Sequence, residues 1–204
     1  MSDYAIWKMK QAAARFHAWE GTTESPRGSN RIRCSAGNDL WTDVHPPYQG
    51  GAYCAAGDVD AYLHVGIDLR TILTNPYYCP NWVQLAQRNG WLKTSGARTG
   101  DLVMYGTGGY SVHTGLAAPA PGALYYAHEA NTSSGDSGSQ DNGDGVFHRG
   151  RGRSWIVGWV DMVKVIDYMI ATGLHVPSST ETKAPAAPKK SSTAKELLVV
   201  DGKV

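Results

Sequence analysis

The stretch GGAYCAAGDVDAYL, residues 50–63, places a glycine pair and an aromatic residue directly before Cys54. Small residues and a helix-like apolar pattern follow, which predicts a helix from Cys54 to about His64 that ends at Gly66. A cysteine at a helix start lies where the helix dipole and backbone N–H groups stabilise a thiolate. A cysteine that only packs in the core is equally compatible with this stretch taken alone. The rest of the chain must decide between a reactive and a structural Cys54.

Length and composition favour one globular domain with residues left over for a tail. The chain has 204 residues, of which 42% are hydrophobic and 18% charged. A net charge of +1 offers no electrostatic basis for binding nucleic acid or an acidic membrane surface. The chain contains no run of 18 apolar residues, so membrane insertion is not expected. The N-terminus lacks the charged and apolar regions of a secretory signal. A monomer that is made and kept in the cytoplasm is therefore expected.

The cysteines do not suggest a disulfide framework. Cys34, Cys54 and Cys79 are odd in number and separated by 20 and 25 positions, so free thiols are expected. The chain has no CxxC pair of the kind that binds zinc, and neither a metal nor a cofactor is expected. The stretch DNGDG, residues 141–145, lacks the spaced ligands and terminal glutamate of a calcium loop, so a glycine turn is favoured over a calcium site.

Helical patterns precede strand patterns along the chain. A first helix is predicted from Ser2 or Asp3 to about Glu20, residues 39–53 are predicted as loop, and Pro80 begins another helix. Five β-rich runs follow: GDLVMYG (100–106), SVHTGLAA (111–118), ALYYAHEA (123–130), GVFHRGR (145–151) and WIVGWVDM (155–162). This order predicts an α+β fold, with N-terminal helices packed on a central antiparallel sheet.

The C-terminal part of the chain differs in composition. Residues 1–176 are predicted to form the domain, and residues 177–195 are rich in Pro, Ala, Ser and Lys, as in a linker. Residues 196–204 resume an apolar pattern, which we interpret as the truncated start of a second module.

His113 is the candidate base for a cysteine nucleophile. Of the seven histidines, it lies in the middle of a predicted strand among small residues, which leave room beside the imidazole. A hairpin turn centred on Pro121 would place Glu129 opposite His113, with Asn131 on the same face. A register shifted by one residue would bring His128 there instead. The spacing therefore indicates a Cys–His–Glu set and leaves its third member open.

Six motifs carry a resemblance to a known family. They occur in the order ESPRGSN (24–30), YCAAGDVDAYL (53–63), TGDLVMYG (99–106), VHTGL (112–116), EANTSS (129–134) and GVFHRGR (145–151). In this order the chain resembles phage endolysin catalytic domains of the CHAP and NlpC-type branch of the papain-like cysteine peptidases. The resemblance spans roughly Glu24 to Trp159 and implies a papain-like fold.

The resemblance also implies an activity and a set of site residues. Cys54 would be the nucleophile and His113 the base, Glu129 would orient the imidazole, and Asn131 would be a second polar group. The substrate would be bacterial peptidoglycan, cleaved at an amide bond for host-cell lysis after the enzyme is released from the host cytoplasm. Whether the enzyme is an endopeptidase or an N-acetylmuramoyl-L-alanine amidase stays open. Residues 196–204 resemble the start of a cell-wall-binding repeat.

Three side chains are candidates for substrate binding: Trp41, Tyr53 and Arg149. Tyr53 stands where many relatives have Trp, and Arg149 belongs to the basic run HRGRGR (148–153), which suits acidic wall carboxylates. A solvated strand end explains that run equally well. Two other classes of protein also fit the sequence. One is another Cys–His enzyme, such as an amidohydrolase or a transglutaminase-like enzyme. The other is a non-catalytic wall-binding domain in which Cys54 only packs.

Overall fold

The computed structural model describes residues 3–34, 37–45, 51–135 and 142–178. The helices in this part of the chain are α1 (Asp3–Trp19), α2 (Leu40–Val44), α3 (Cys54–Leu63), α4 (Cys79–Arg88) and α5 (Met162–Ala171). The strands are β1 (Leu92–Lys93), β2 (Leu102–Thr107), β3 (Tyr110–Ala117), β4 (Tyr125–Thr132), β5 (Gly145–Arg151) and β6 (Ile156–Val160). Short 3-10 turns lie at Leu69–Thr71 and Arg153–Trp155.

The strands form one open six-stranded sheet in the order β1-β6-β2-β3-β4-β5. Every neighbouring pair is antiparallel. The predicted α+β architecture, with N-terminal helices against an antiparallel sheet, is confirmed. The five predicted strand runs correspond to β2–β6, whereas β1 has only two residues, too few for a recognisable alternation.

Helix α3 packs on the sheet and also contacts two other helices, α1 and α2. It packs against α1, α2, β3 and β4, and all of its residues except Leu63 are buried. Small side chains allow this close approach, since a Cβ on Gly57 would lie 2.8 Å from the Cβ of Ala130 in β4. The Thr114 hydroxyl of β3 donates to the Asp58 carboxylate of α3 over 2.8 Å. The position of Cys54 is therefore set by packing along the whole helix that it begins.

The loop predicted for residues 39–53 is wrong in part, because it contains α2. The Asp39 carboxylate caps this helix by accepting from the Thr42 N–H at 3.1 Å, and Leu40 and Val44 are buried. A five-residue helix is too short to show a period in the sequence.

Helix α5 was not predicted as an element. Its buried residues follow a helical stripe that continues directly from the last strand run: Met162, Val163, Val165, Ile166 and Met169.

The β3–β4 register differs from the predicted one by two residues. Leu116 pairs with His128 and Ala117 with Ala127, so the turn is centred on Gly122 rather than Pro121. Glu129 thus lies across from Gly115 instead of His113. Because side chains alternate with a period of two, this shift leaves Glu129 on the face that carries His113. The predicted pairing is wrong, whereas the shared face is right.

Two other expectations from the sequence concern membranes and the tail. Within the described residues, no helix is both long and apolar enough to cross a bilayer. The linker predicted at 177–195 lies outside the described residues from residue 179 onward, and the module predicted at 196–204 lies outside them entirely. Most of the DNGDG stretch is described, but Asp141 is not.

We expect Gly57→Ala to destabilise the fold. The added Cβ would meet the Ala130 Cβ at 2.8 Å and the rings of Trp19 and Phe16 at 3.1 and 3.2 Å. Overpacking of this kind costs about 1–3 kcal/mol, against about 1 kcal/mol gained in helix propensity. Urea unfolding should show a net loss of free energy. Gly152→Ala is the matched control, because its Cβ would have only Ser154 nearby, at 3.9 Å, and a stability equal to this control would contradict the packing argument.

Candidate functional site

Cys54 is the first residue of α3, and its sulfur lies beside a second sulfur. Cys79 is the first residue of α4, and the two Sγ atoms are 3.7 Å apart. All three cysteines carry free thiols, as expected from their number and spacing. Two helix N-termini therefore converge on one pair of thiols, and the positive ends of both helix dipoles favour a negative charge there.

The pKa values of the two thiols move in opposite directions. A hydrogen bond from the Cys79 thiol lowers the pKa of Cys54 well below its ordinary value, and a hydrogen bond and the charge of His113 add to this against the effect of burial. The pKa of Cys79 is raised well above its ordinary value, first because it donates to Cys54 and then because it is buried. These opposite directions favour Cys54 as the thiolate and Cys79 as its hydrogen-bond donor, which favours a reactive rather than a structural Cys54.

His113, in β3, is fully buried and hydrogen-bonded through one ring nitrogen. Its Nε2 lies 2.9 Å from Oε2 of Glu129, and its Nδ1 makes no hydrogen bond of ordinary geometry within the described residues. Burial alone would lower the pKa of His113, but its interactions with Cys54 and Glu129 raise it to about 9. Nδ1 is therefore the nitrogen left to exchange a proton with Cys54.

Aromatic rings fix the plane of the imidazole. The His113 ring stacks on Tyr105, its partner in β2, at a centroid distance of 5.6 Å. Trp155 stacks on Tyr105 at 5.2 Å and lies 6.2 Å from His113. The three rings are within about 25° of parallel, so rotation of the imidazole out of this plane would require displacing them.

Glu129 connects His113 to a buried arginine. Arg151 donates through Nε to Oε1 of Glu129 at 3.0 Å and through its terminal nitrogen to Oε2. The same arginine donates to the Thr132 hydroxyl at 3.1 Å, and its guanidinium lies over Trp155. Burial would raise the pKa of Glu129, but the hydrogen bonds from His113 and Arg151 lower it overall. A carboxylate held in this way stays ionised and fixes the imidazole tautomer.

Gly115 explains how Glu129 reaches His113 despite the shifted register. A Cβ at residue 115 would lie 2.8 Å from Cγ of Glu129 and 2.5 Å from the His128 carbonyl oxygen. The small residues around His113 predicted room beside the imidazole, and the side chain of Glu129 fills that room. This side chain passes over Gly115 to reach His113, two residues away along β3.

Asn131 and His128 are not partners of the imidazole. Asn131 lies at a bulge in β4 with φ of 58°, and its amide nitrogen is 3.5 Å from Oδ1 of Asn142. The His113 ring donates to the Glu129 carboxylate instead. His128 lies on the opposite face of β4, where its Nδ1 is 2.5 Å from the Glu20 carboxylate. The one-residue shift that would have brought His128 to His113 does not occur.

The three candidate substrate-binding side chains are buried. Trp41 is 2% exposed, Tyr53 0% and Arg149 8%. A cleft of about 420 Å³ opens beside the N-termini of α3 and α4, lined by Trp41, His45, Ala52, Thr74, Asn75, Tyr77 and Tyr78. Of the three candidates, only Trp41 lines this cleft. Substrate contacts by Tyr53 and Arg149 stay predictions.

Sequence reasoning did not assign Cys79 or Arg151 to the site. Cys79 precedes Pro80 at a predicted helix start, which is the same signal that singled out Cys54. Arg151 was noticed only as part of the basic run 148–153. In the β4–β5 pairing Phe147 lies opposite Glu129 and Arg151 opposite Tyr125, so Arg151 shares the face of Glu129 and reaches it through its long side chain.

We expect Cys79→Ala to raise the pKa of Cys54. Iodoacetamide near pH 6, well below the ordinary thiol pKa of about 8.5, should label Cys54 faster than Cys34 and Cys79 in the native chain. Loss of the Cys79 thiol removes the largest stabilisation of the Cys54 thiolate, so the labelling midpoint should move to higher pH. Cys79→Ser should restore part of the shift, and Cys34→Ala is the control that should leave it unchanged. Equal midpoints for Cys79→Ala and Cys34→Ala would contradict the assigned hydrogen bond.

Comparison with known proteins adds nothing to this geometry. No family model, no curated protein and no solved structure matches the chain. A function for this site must therefore be argued from its chemistry and from the six motifs that carry the resemblance.

Proposed function

We propose that this chain is the catalytic part of a phage endolysin, a papain-like cysteine hydrolase of the CHAP and NlpC type that cleaves amide bonds in bacterial peptidoglycan. The observation that carries the proposal is the buried series Cys54, His113, Glu129, in which His113 lowers the pKa of Cys54 and hydrogen-bonds through Nε2 to the Glu129 carboxylate. That arrangement of nucleophile, base and orienting group is what acyl transfer by a cysteine requires. The wall substrate is inferred from the order of the six motifs, which resembles the order in phage endolysin catalytic domains.

In the proposed reaction, the Cys54 thiolate attacks the carbonyl carbon of the amide. The C–N bond then breaks, His113 gives its Nδ1 proton to the leaving amine, and a thioester remains on Cys54. Water attacks the thioester while His113 accepts one of its protons, which releases the acid and restores the thiolate and the imidazolium. Glu129 stays ionised throughout and balances the charge on the imidazolium.

The surroundings of Cys54 suit the negative charges of this reaction. The Ala55 N–H interacts with the thiolate, and the Cys54 N–H at the start of α3 is a donor for the developing oxyanion. The Cys79 thiol stabilises the resting thiolate and is released from that interaction when the sulfur becomes a thioester. The adjoining 420 Å³ cleft gives the peptide a place to lie.

The test of this proposal is digestion of purified bacterial cell walls, followed by mass spectrometry of the fragments. The native chain should release fragments with one new amine and one new carboxylate per cut, which also identifies the bond. Cys54→Ala should fold normally and lose activity by about a thousandfold or more. A wall that stays intact with the native chain, over walls of several peptide types, would reject the proposal. Binding without cleavage would favour a wall-binding domain.

We expect Glu129→Gln to lower kcat/KM by about 10- to 1,000-fold, less than loss of Cys54 or His113. Because interactions with Glu129 help to raise the pKa of His113 to about 9, the basic limb of the pH–rate profile should move to lower pH in the variant. Glu20→Gln is the matched control, since it removes a carboxylate that pairs with His128 outside the site. An unchanged basic limb in Glu129→Gln would show that Glu129 has only a packing role.

A further inference from the structure

A second cluster of reactive side chains lies at the other end of α3. It consists of Cys34, Asp43, Asp60 and His64, each of which offers one ligand atom, and these atoms all lie within 4.8 Å of one another. Cys34 comes from the loop before α2, Asp43 from α2, and Asp60 from α3, whose C-terminal cap is His64. Three separate segments of the chain therefore direct a thiol, an imidazole and two carboxylates to one point.

The distances in this cluster are close to those of a tetrahedral ligand set. The Cys34 thiol donates to Oδ2 of Asp43 at 3.0 Å, and Nε2 of His64 lies 3.1 Å from the same oxygen. The same nitrogen lies 3.2 Å from Oδ1 of Asp60. Ligands about 2.0–2.3 Å from a central metal ion are about 3.3–3.7 Å apart at tetrahedral angles. Small side-chain movements would thus open the cluster around one ion.

Burial and exposure divide the cluster in a way that suits metal entry. Cys34 and Asp60 are 3% and 1% exposed, whereas the side chains of His64 and Asp43 are 26% and 20% exposed. Asp60 and His64 are four residues apart at the end of α3, which places them on one helix face. Besides His64, Arg15 acts on Asp60 through its charge, and the two carboxylates of the cluster outnumber this arginine.

We propose that Cys34, Asp43, Asp60 and His64 form a structural binding site for a zinc ion. Thiolate and imidazole ligands suit Zn²⁺, whereas Ca²⁺ and Mg²⁺ require six or more oxygen ligands. Binding would release the Cys34 proton, and the four protein ligands would close the coordination sphere. No spacing motif marks these residues, because they are dispersed along the chain, and for this reason no metal is expected from the sequence alone.

The ion would tie the 34–44 segment to the C-terminal end of α3. Asp60 is six residues after Cys54, about 9 Å along the helix axis, so the ion would hold the helix without entering the reaction. The proposal does not depend on the proposed hydrolase function, and its test measures metal binding rather than activity.

Two other groups of side chains among the described residues also offer metal ligands. The experiment must distinguish metal binding there from binding at the proposed site. His17, Glu20 and His128 also offer ligand atoms within 4.8 Å of one another, but this group has no sulfur. Cys54 and Cys79 form a thiol pair at the candidate active site. Cobalt is the suitable probe, because thiolate ligation gives a charge-transfer band in the near ultraviolet that a sulfur-free site lacks.

The experiment is titration of the chelator-treated chain with Co²⁺ and then Zn²⁺. We expect one equivalent of Co²⁺ to bind with a thiolate charge-transfer band, and Zn²⁺ to displace it. Cys34→Ala should remove the band, whereas Cys54→Ala and His17→Ala should keep it. The proposal is overturned if no cobalt binds, if the band is lost in Cys54→Ala and kept in Cys34→Ala, or if the bound cobalt lacks the band and is lost in His17→Ala.

Asp60→Asn and His64→Gln provide a test that does not depend on how well Cys34→Ala folds. With native circular dichroism, each should weaken Zn²⁺ binding by about 100-fold or more, because each removes a direct ligand. The melting temperature of the native chain should rise with Zn²⁺ and saturate at one equivalent, and the rise should be absent in both variants. An equal rise in the native chain and both variants would place the zinc elsewhere and reject the site.

Discussion

The carboxylate of Glu129 is the interaction on which the candidate site depends. It is fully buried, and an ionised group in that position is tolerated only because Arg151 and His113 both donate to it. Removing either donor would leave an unbalanced charge in the sheet. The requirement extends to the backbone, because Gly115 must lack a side chain for the carboxylate to reach the imidazole. One buried charge thus determines residue choices on β3, β4 and β5.

The thiolate and imidazolium also constrain how stability depends on pH. The pKa of His113 is raised from 6.5 to about 9, so protonated His113 contributes stability that is full below about pH 6.5 and lost as the pH rises to about 9. The pKa of Cys54 is lowered from 9.0, so its contribution is full above about pH 9 and is lost as the pH falls toward the lowered value. Between about pH 6.5 and pH 9, Cys54 and His113 together hold one proton in the folded chain and one in the unfolded chain. The ion pair can therefore form in the neutral range with little pH dependence of stability.

Much of the site was predictable from local patterns, and the errors have physical causes. A helix start identified Cys54, and period-two alternation put Glu129 on the face of His113 even though the register was displaced by two residues. The turn centre could not be located, because the segment between the strands offers two prolines and one glycine for it. The contact between Cys79 and Cys54 depends on how α3 and α4 each pack against β3, and no local pattern encodes such packing.

Helix α3 unites these observations. Its N-terminus carries the thiolate, its C-terminal end carries Asp60 and the cap His64, and nearly every residue between them is buried. A helix packed on all sides has few ways to move, so the geometry at one end is supported by contacts along its whole length. The small residues in its first turns are necessary for that packing, since Gly57 touches both α1 and β4. In the proposed reaction, the Cys54 nucleophile must meet a buried imidazole at close range. Such a helix holds it more firmly than a loop would, because a loop would have to be ordered anew in each encounter with substrate.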